Sequence, residues 1–379
     1  MSNDFSASLF SVLEELNREG VTGYEKYLRL KRHIQFKARE KHVPVCGIFE
    51  LTPLCNLSCK MCYVHLDKEQ MGGKELLPVE TWISIIDQAI DAGMLYANIT
   101  GGECLTYSGF KEIYLYLQSR GIEIEVLTNG ILLTEEMVSF LDEHPPASIQ
   151  ITVYGSDEDE YERVTGKRVF HKVMDNIARL KEHNLPFHIA VTPNPYMTKG
   201  RELLQLLHDL DYPYMINAIL KKPRKETGRQ LCDAPWDIYM DLYQEDLRLN
   251  GGEVPMAIPA EDLPDPGMRH NGDDAPERGV VCGAARSLFC VNWDGMMRPC
   301  VAFKDIGEDV LENGFQAAWE RIGTQVMQVP QPVECRDCPY EKACGFCILL
   351  HLENGNPGHV NPEVCEHIRH LVKEGFVHL

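Results

Sequence analysis

The sequence predicts an α/β fold. It consists of a parallel sheet of six β/α units, open or curled into a partial (β/α)6 TIM-like barrel, followed by a small Cys-rich C-terminal domain. Three observations predict it. β-rich runs alternate with helical runs from about residue 46 to residue 220, the pattern of parallel strands joined by right-handed crossovers. The alternation stops after residue 221, where Pro, Gly and acids crowd into PAEDLPDPGMRHNGDDAPERG. Cysteines then gather, with Cys335, Cys338, Cys344, Cys347 and Cys365 lying within 31 residues.

Residues 3–40 read as two short amphipathic helices with a basic stretch from Lys31 to Lys41. The expected strands are 46–52, 96–100, 122–128, 148–154, 187–192 and 214–219. Helices are expected at 79–93, 109–121, 135–144, 171–184 and 201–211. In the first of these, Val79, Ile83, Ile86 and Ile90 fall on one face; in the fourth, Val173, Ile177 and Leu180 do. An irregular bridge at 221–281 carries a helix near 236–249. A hairpin (SLFCVNWDGMMRPC), a Cys-dense loop and a final helix at 363–375 follow. The expected segments are therefore 1–45 (helical extension), 46–220 (core), 221–281 (bridge) and 282–379 (Cys-rich domain).

Composition excludes several classes. Hydrophobic residues make up 44% and charged residues 25%, ordinary globular values that exclude disorder as the main state. No apolar run approaches the roughly 20 residues of a membrane helix. The N-terminus, MSNDFSASLFSVLEELNREG, has none of the features of a signal peptide, so a cytoplasmic location is expected. A formal charge of −20 repels phosphate backbones, so nucleic acid is not an expected partner. Clustered cysteines in such a chain bind metal or do redox chemistry rather than form disulfides.

The first constellation is LTPLCNLSCKMCYVHL, in which Cys55, Cys59 and Cys62 follow the first strand with C-x3-C-x2-C spacing. Three thiolates can hold three irons of a cubane cluster and leave the fourth iron open, whereas ordinary ferredoxin clusters take four Cys. Zinc also accepts three thiolates, with His65 the nearest fourth ligand. The second strand ends in NITGGECLTY, where Gly101 and Gly102 allow close backbone approach and Glu103 adds an acid on the same face of the sheet.

C-x3-C-x2-C after strand one with TGGE after strand two resembles the radical S-adenosylmethionine (SAM) superfamily. VLTNG (126–130) and ITVYGSDEDEYERVTGKRVFHKVMDNIARLKE (151–182) resemble signatures of its peptide- and protein-modifying members. Cys104 stands where many members have Pro. The resemblance implies a partial barrel and a 4Fe-4S cluster whose open iron is chelated by SAM. It implies a reductively generated 5′-deoxyadenosyl radical that abstracts hydrogen from substrate. By position it implies that Gly101, Gly102 and Glu103 contact the SAM methionyl group. Thr152 and Tyr154, with Thr128 and Asn129, would lie near the ribose, and Arg163 would pair with the carboxylate.

The second constellation reads Cys282-x12-Gly295-x4-Cys300, then Cys335-x2-Cys338-x5-Cys344-x2-Cys347, then Cys365. Seven thiolates in 84 residues fit two four-iron clusters better than one zinc finger, and a two-zinc ribbon is the alternative. The arrangement resembles the SPASM domain, the auxiliary-cluster extension of peptide-modifying radical SAM enzymes. It has one residue fewer than the family spacing between Cys344 and Cys347. Three 4Fe-4S clusters are therefore expected, one binding SAM and two auxiliary. The sequence proximity of Cys335, Cys338 and Cys344, closed by Cys365, suggests one auxiliary set and leaves Cys282, Cys300 and Cys347 for the other. Cys290 is the candidate fourth ligand of that second set, depending on which strand face it occupies.

Cys46, Cys104 and Cys232 read as small buried hydrophobes. Cys104 and Cys232 are also candidate hydrogen donors to a substrate radical. The resemblance implies a ribosomally made precursor peptide as substrate, and a thioether, another crosslink or an epimerised residue as product. It implies a flavodoxin or ferredoxin-type reductant. With only helical residues ahead of the first strand, leader recognition is expected to need a separate leader-binding protein or another surface. Two rivals stand. An anaerobic sulfatase maturase shares the architecture, but Val301 follows Cys300 where that family has an Asp base. A non-catalytic iron–sulfur electron carrier would not cleave SAM.

Overall fold

The computed structural model describes residues 12–14, 16–18, 22–217, 236–251, 282–335, 338–340, 344, 347–352 and 358–374. Six strands fall where the alternation places them: β1 (Cys46–Glu50), β2 (Tyr96–Thr100), β3 (Glu123–Thr128), β4 (Ser148–Val153), β5 (Phe187–Val191) and β6 (Tyr214–Ile216). Residues 218 and 219 of the sixth expected strand lie outside the described residues. Neighbouring strands pair in parallel and in chain order. Helix α1 (Gly23–Lys41) precedes β1. The crossovers carry α2 (Val79–Asp91), α3 (Phe110–Ser119), α4 (Glu135–Glu143), α5 (Glu158–Thr165), α6 (Phe170–Glu182) and α7 (Gly200–Asp209).

The sheet does not close on itself. Its order runs from β6 through β1 and continues into three C-terminal strands, β7 (Leu288–Val291), β8 (Met296–Arg298) and β9 (Glu308–Asp309), after α8 (Trp236–Leu249). β7 lies parallel to β1, and β8 and β9 are antiparallel. The expected hairpin is thus part of the core sheet, because the outer edge of β1 has backbone groups that need partners. The result is the partial (β/α)6 barrel, extended along its β1 edge. Helices α9 (Val310–Asn313), α10 (Phe315–Met327), α11 (Ile348–Leu352) and α12 (Pro362–Lys373) complete the chain.

Alternation along each strand divides the side chains. Phe49, Ile99, Val126, Ile151 and Ile189 are fully buried beneath the helices. Their neighbours Asn98, Glu125, Gln150 and His188 are only half-buried, on the other, concave face. The sequence puts Val79, Ile83, Ile86 and Ile90 on the buried face of α2, but the structure buries Trp82, Ile85, Ile86 and Ala89. Trp82 turns the helix by packing edge-on against Phe49 at 6.1 Å, and a large aromatic outweighs the aliphatic stripe. In α6 the expected Val173, Ile177 and Leu180 are all fully buried.

An aromatic chain fastens the C-terminal strands to the core. Phe289 meets Phe49 at 5.9 Å and Phe315 at 4.9 Å, both edge-on. Gly47 makes room for it, since a Cβ there would lie 2.7 Å from the Phe289 ring. Helix α1 covers the N-terminal ends of β2 and β3. Lys31 Nζ lies 2.6 Å from Glu123 Oε1 and 4.6 Å from the centre of the Tyr96 ring. Among the described residues no helix is long and apolar enough to cross a membrane.

Candidate active site

The loop after β1 carries Cys55, Cys59 and Cys62. Two backbone N–H groups point at sulfur: Leu57 N donates to Cys55 Sγ and His65 N to Cys62 Sγ, each at 3.3 Å. Burial, followed by the charges of Glu103 and Cys62, pushes the Cys55 thiol up to about 12, while the Leu57 N–H opposes the shift. Thiols so placed await a positive centre, since iron or another metal removes the proton and N–H donors then stabilise the thiolate.

Helix α5 braces this loop, and the sequence reading did not place a helix there. Asp157 caps its start by accepting from Glu160 N at 2.8 Å, and Gly166, at φ +77°, ends it. The last two carbonyls, of Val164 and Thr165, accept from Lys60 N and Ser58 N, both at 3.0 Å. Cys59 is thereby held between two helix-end hydrogen bonds.

The Gly-Gly-Glu turn packs backbone to backbone against the same loop. Gly102 N donates to Thr52 O at 2.6 Å and Glu103 N to Leu54 O at 2.9 Å. A Cβ on Gly101 would meet Thr52 O at 2.5 Å, and one on Gly102 would meet Leu54 O at 2.4 Å. Glu103 is buried. Its Oε1 accepts from Thr128 Oγ1 (2.8 Å) and Leu105 N (3.1 Å), and its Oε2 accepts from Asn129 N (2.8 Å). Burial raises its pKa, and these hydrogen bonds oppose the rise. The carboxylate therefore organises the turn after β3. From that turn Asn129 Nδ2 donates to Asn56 Oδ1 at 2.7 Å and reaches Cys55 Sγ at 3.6 Å.

Tyr154, just past β4, stacks edge-on against Tyr161 at 6.0 Å. Burial and then the charges of Cys59 and Cys62 hold its phenol well above the usual range, so it lies within electrostatic reach of the Cys loop. Thr152 sits opposite Ala190 on the half-buried concave face. Arg163 is 46% exposed, donates to Thr198 Oγ1 at 3.2 Å and lies 3.8 Å from Glu160 Oε1. Glu160, one acid in an acidic run, gave no sequence signal. It is fully buried and accepts from Ser156 N (2.9 Å), Thr198 N (2.5 Å) and Lys199 N (3.1 Å), tying the loops after β4 and β5 together.

Three of the expected strand ends thus meet around the Cys loop: Gly101–Glu103, Thr128–Asn129 and Tyr154. Cys104 turns from the Gly-Gly-Glu loop into the core, its Sγ 3.9 Å from Glu103 Oε1. It is fully buried in the core and donates to Leu127 O at 3.3 Å, and burial raises its thiol well above the usual value. Cys232 lies outside the described residues. Cys46 packs beneath the sheet, where Gln35 Nε2 donates to its sulfur at 3.4 Å.

The C-terminal thiols fall into groups. Burial pushes the Cys335 thiol up to about 11, and the charges of Cys344, Cys365 and Cys338 add to the rise. Cys365 is raised by burial, then by Cys344 and Cys338. These four lie within mutual electrostatic reach. Cys282 is exposed, while Cys300 and Cys347 are half-buried. Cys290 is fully buried opposite Arg298 in the β7–β8 register, and Cys300 follows β8 in the bend just past Arg298.

Among the described residues no three His, Cys, Asp or Glu side chains converge on a single ion position. A 4Fe-4S cluster makes no such demand, because each thiolate takes its own iron. The glycine cradle and the N–H···S contacts fit that group.

Residues 49–210 match the family described as the Radical SAM superfamily. The chain is 31% identical over 306 residues to the sporulation killing factor maturation protein SkfB of Bacillus subtilis (strain 168), covering 70% of this chain and 73% of that protein. It is 25% identical over 361 residues to the antilisterial bacteriocin subtilosin biosynthesis protein AlbA of the same strain, covering 90% of this chain and 75% of AlbA. Its fold is similar to that of Streptococcus suis SuiB bound to precursor peptide SuiA, with a TM-score of 0.66 at 16% identity, covering 93% of this chain and 87% of SuiB. A sheet that delivers three spaced thiols and a Gly-Gly-Glu turn to one end, together with this kinship, makes the chain an enzyme of the radical SAM superfamily, with SAM and a 4Fe-4S cluster as its cofactors.

Proposed function

We propose that the protein matures a ribosomally made precursor peptide by radical chemistry. The observation that carries this is the meeting of the Cys55–Cys62 loop with Gly101–Glu103 and Asn129 at the open end of a partial barrel. SkfB and AlbA, named for maturing and making peptide products, and SuiB, solved with a precursor peptide, support the peptide substrate.

In this reading Cys55, Cys59 and Cys62 hold the SAM-binding cluster. Together with SAM, that cluster supplies a 5′-deoxyadenosyl radical on reduction. The chain's own residues orient and enclose it. Gly101 and Gly102 bring the β2 backbone against the cluster loop, where they would hold the methionyl group of SAM. Glu103 sets the Thr128–Asn129 turn, and Asn129 adds an N–H donor to Cys55. Thr152 and Tyr154 would line the ribose side. Arg163, which donates to Thr198, would pair with the SAM carboxylate. The concave face receives the peptide: its half-exposed Asn98, Glu125, Gln150 and His188 offer hydrogen bonds where a closed barrel has packed aliphatics.

Cys335, Cys338, Cys344 and Cys365 hold one auxiliary cluster. Cys282, Cys300 and Cys347 hold a second, with Cys290, buried in β7, as its fourth ligand. The site works in the reducing cytoplasm, with a flavodoxin or ferredoxin-type donor and a separate leader-binding protein.

The test is anaerobic reconstitution. The protein carries about 12 irons, four per cluster. The variant with Cys55, Cys59 and Cys62 all changed to Ala keeps about eight and makes no 5′-deoxyadenosine. SAM cleavage retained in that variant sinks the reading, and a wild-type count near four removes the auxiliary clusters from it.

A further inference from the structure

Tyr161 has a buried hydroxyl with nothing to donate to. The residue is fully buried, and its hydroxyl finds no acceptor among the described residues; the Tyr154 backbone N–H near its oxygen is itself a donor. Leaving a buried donor unsatisfied costs the full penalty of removing it from water. Native proteins do so rarely, and most often where a ligand, water or redox group supplies the partner.

The surroundings of Tyr161 point to which partner it is. Tyr161 lies three and four residues before Val164 and Thr165 on α5, on the same helix face. Those are the two residues whose carbonyls grip Lys60 N and Ser58 N on either side of Cys59. The ring cannot swing away to solvent, because it packs edge-on against Tyr154 at 6.0 Å and against Phe170 at 5.9 Å. Thr165 Oγ1 donates to the Tyr161 carbonyl at 2.7 Å, which ties the last turn of the helix to it. A phenol with the ordinary pKa of about 10 keeps its proton at neutral pH and remains a donor.

We propose that the Tyr161 hydroxyl donates a hydrogen bond to the sulfur of the cluster held by Cys55, Cys59 and Cys62, at its Cys59 corner, and thereby raises that cluster's reduction potential. This rests on the proposed cluster assignment. The physical reason is general: an added electron makes the cluster sulfurs more negative, and a fixed O–H dipole aimed at them stabilises the reduced form more than the oxidised form. The same bond resolves the orphan hydroxyl, so the site is strained without the cluster and relaxed with it.

The test is Tyr161→Phe in the full chain, which keeps the ring and its packing. The midpoint potential is followed through the electron paramagnetic resonance signal that changes on SAM addition, which isolates this cluster from the auxiliary ones. In Tyr161→Phe it moves to a more negative value. Electron–nuclear double resonance after exchange into deuterium oxide shows a deuteron coupled to the wild-type cluster, and the variant lacks it. Iron content is unchanged, and the apoprotein of the variant melts no lower than that of the wild type, because a cost has been removed. An unchanged potential and coupling at full iron content overturn the proposal. So does loss of iron from this site, which makes Tyr161 a scaffold residue. Absence of any SAM-sensitive signal in the wild-type protein refutes the cluster assignment itself, and this inference with it.

Discussion

Asn129 and Cys55 are 74 residues apart in sequence, yet Asn129 Nδ2 lies 3.6 Å from Cys55 Sγ. The contact exists because Glu103, on a third strand end, holds the Asn129 backbone N–H at 2.8 Å. Three strand ends are thus linked in one chain, from the Gly-Gly-Glu turn through the β3 turn to the first thiol. Groups that orient metal ligands at one remove commonly change affinity or activity by about 10- to 100-fold when lost. Asn129→Ala keeps the backbone donor to Glu103 and removes the side-chain contacts to Cys55, Asn56 and Ile131 N. We expect 5′-deoxyadenosine formation to fall within that range while the fold is retained. Activity within twofold of wild type would count against this link.

Gly102 is expected to tolerate no side chain. A Cβ there would lie 2.4 Å from Leu54 O and 2.5 Å from Pro53 O, both backbone atoms that cannot rotate away. Overpacking of this kind costs roughly 1–3 kcal/mol. Gly102→Ala should lower the denaturation midpoint of the apoprotein by an amount in that range, and urea titration reads it. Gly121→Ala is the comparison: it has open space around the Cβ position but a left-handed backbone, φ +72°. Any loss there comes from the backbone alone.

His188 makes stability depend on pH. Burial lowers its pKa below the ordinary value, and it sits neutral between Ser148 Oγ at 3.1 Å and Gln150 Oε1 at 3.3 Å. A base with a depressed folded pKa binds its proton later in the native state than in the unfolded chain. Its contribution is therefore complete above the unfolded pKa of about 6.5 and is lost as pH falls below it. His188→Gln should flatten the fall in melting temperature between about pH 6.5 and pH 5. Buried His351, half-buried His33 and exposed His42, which are also lowered, leave part of the slope in place. An unaltered slope would show that His188 titrates alike in both states.

Much of the site was legible as spacing. Cys55, Cys59 and Cys62 are neighbours along the chain, so their meeting needs no long-range information. The same holds for the turn at Gly101–Glu103, placed by a strand whose end is marked by two glycines. The Glu160 clamp and helix α5 were not legible. Their residues sit in an acid-rich run, SDEDEYERVTG, where a buried carboxylate cannot be told from solvated ones until the loops after β4 and β5 close over it.

By itself the sequence determined the order of strands and helices, the end of the sheet that carries the chemistry, and the three-thiol motif, because each depends on residues a few positions apart. Tertiary structure alone decided that the C-terminal hairpin joins the free edge of β1, that Trp82 rather than Ile83 faces the core, and that Cys290 is buried in β7 opposite Arg298. It also decided that Glu103 turns towards the β3 loop and that the helix carrying Tyr161 grips the backbone on either side of Cys59. These outcomes depend on which backbone edge lacks partners, which side chain fills the most space and which buried polar group still needs a bond. Such balances exist only once distant segments are packed together.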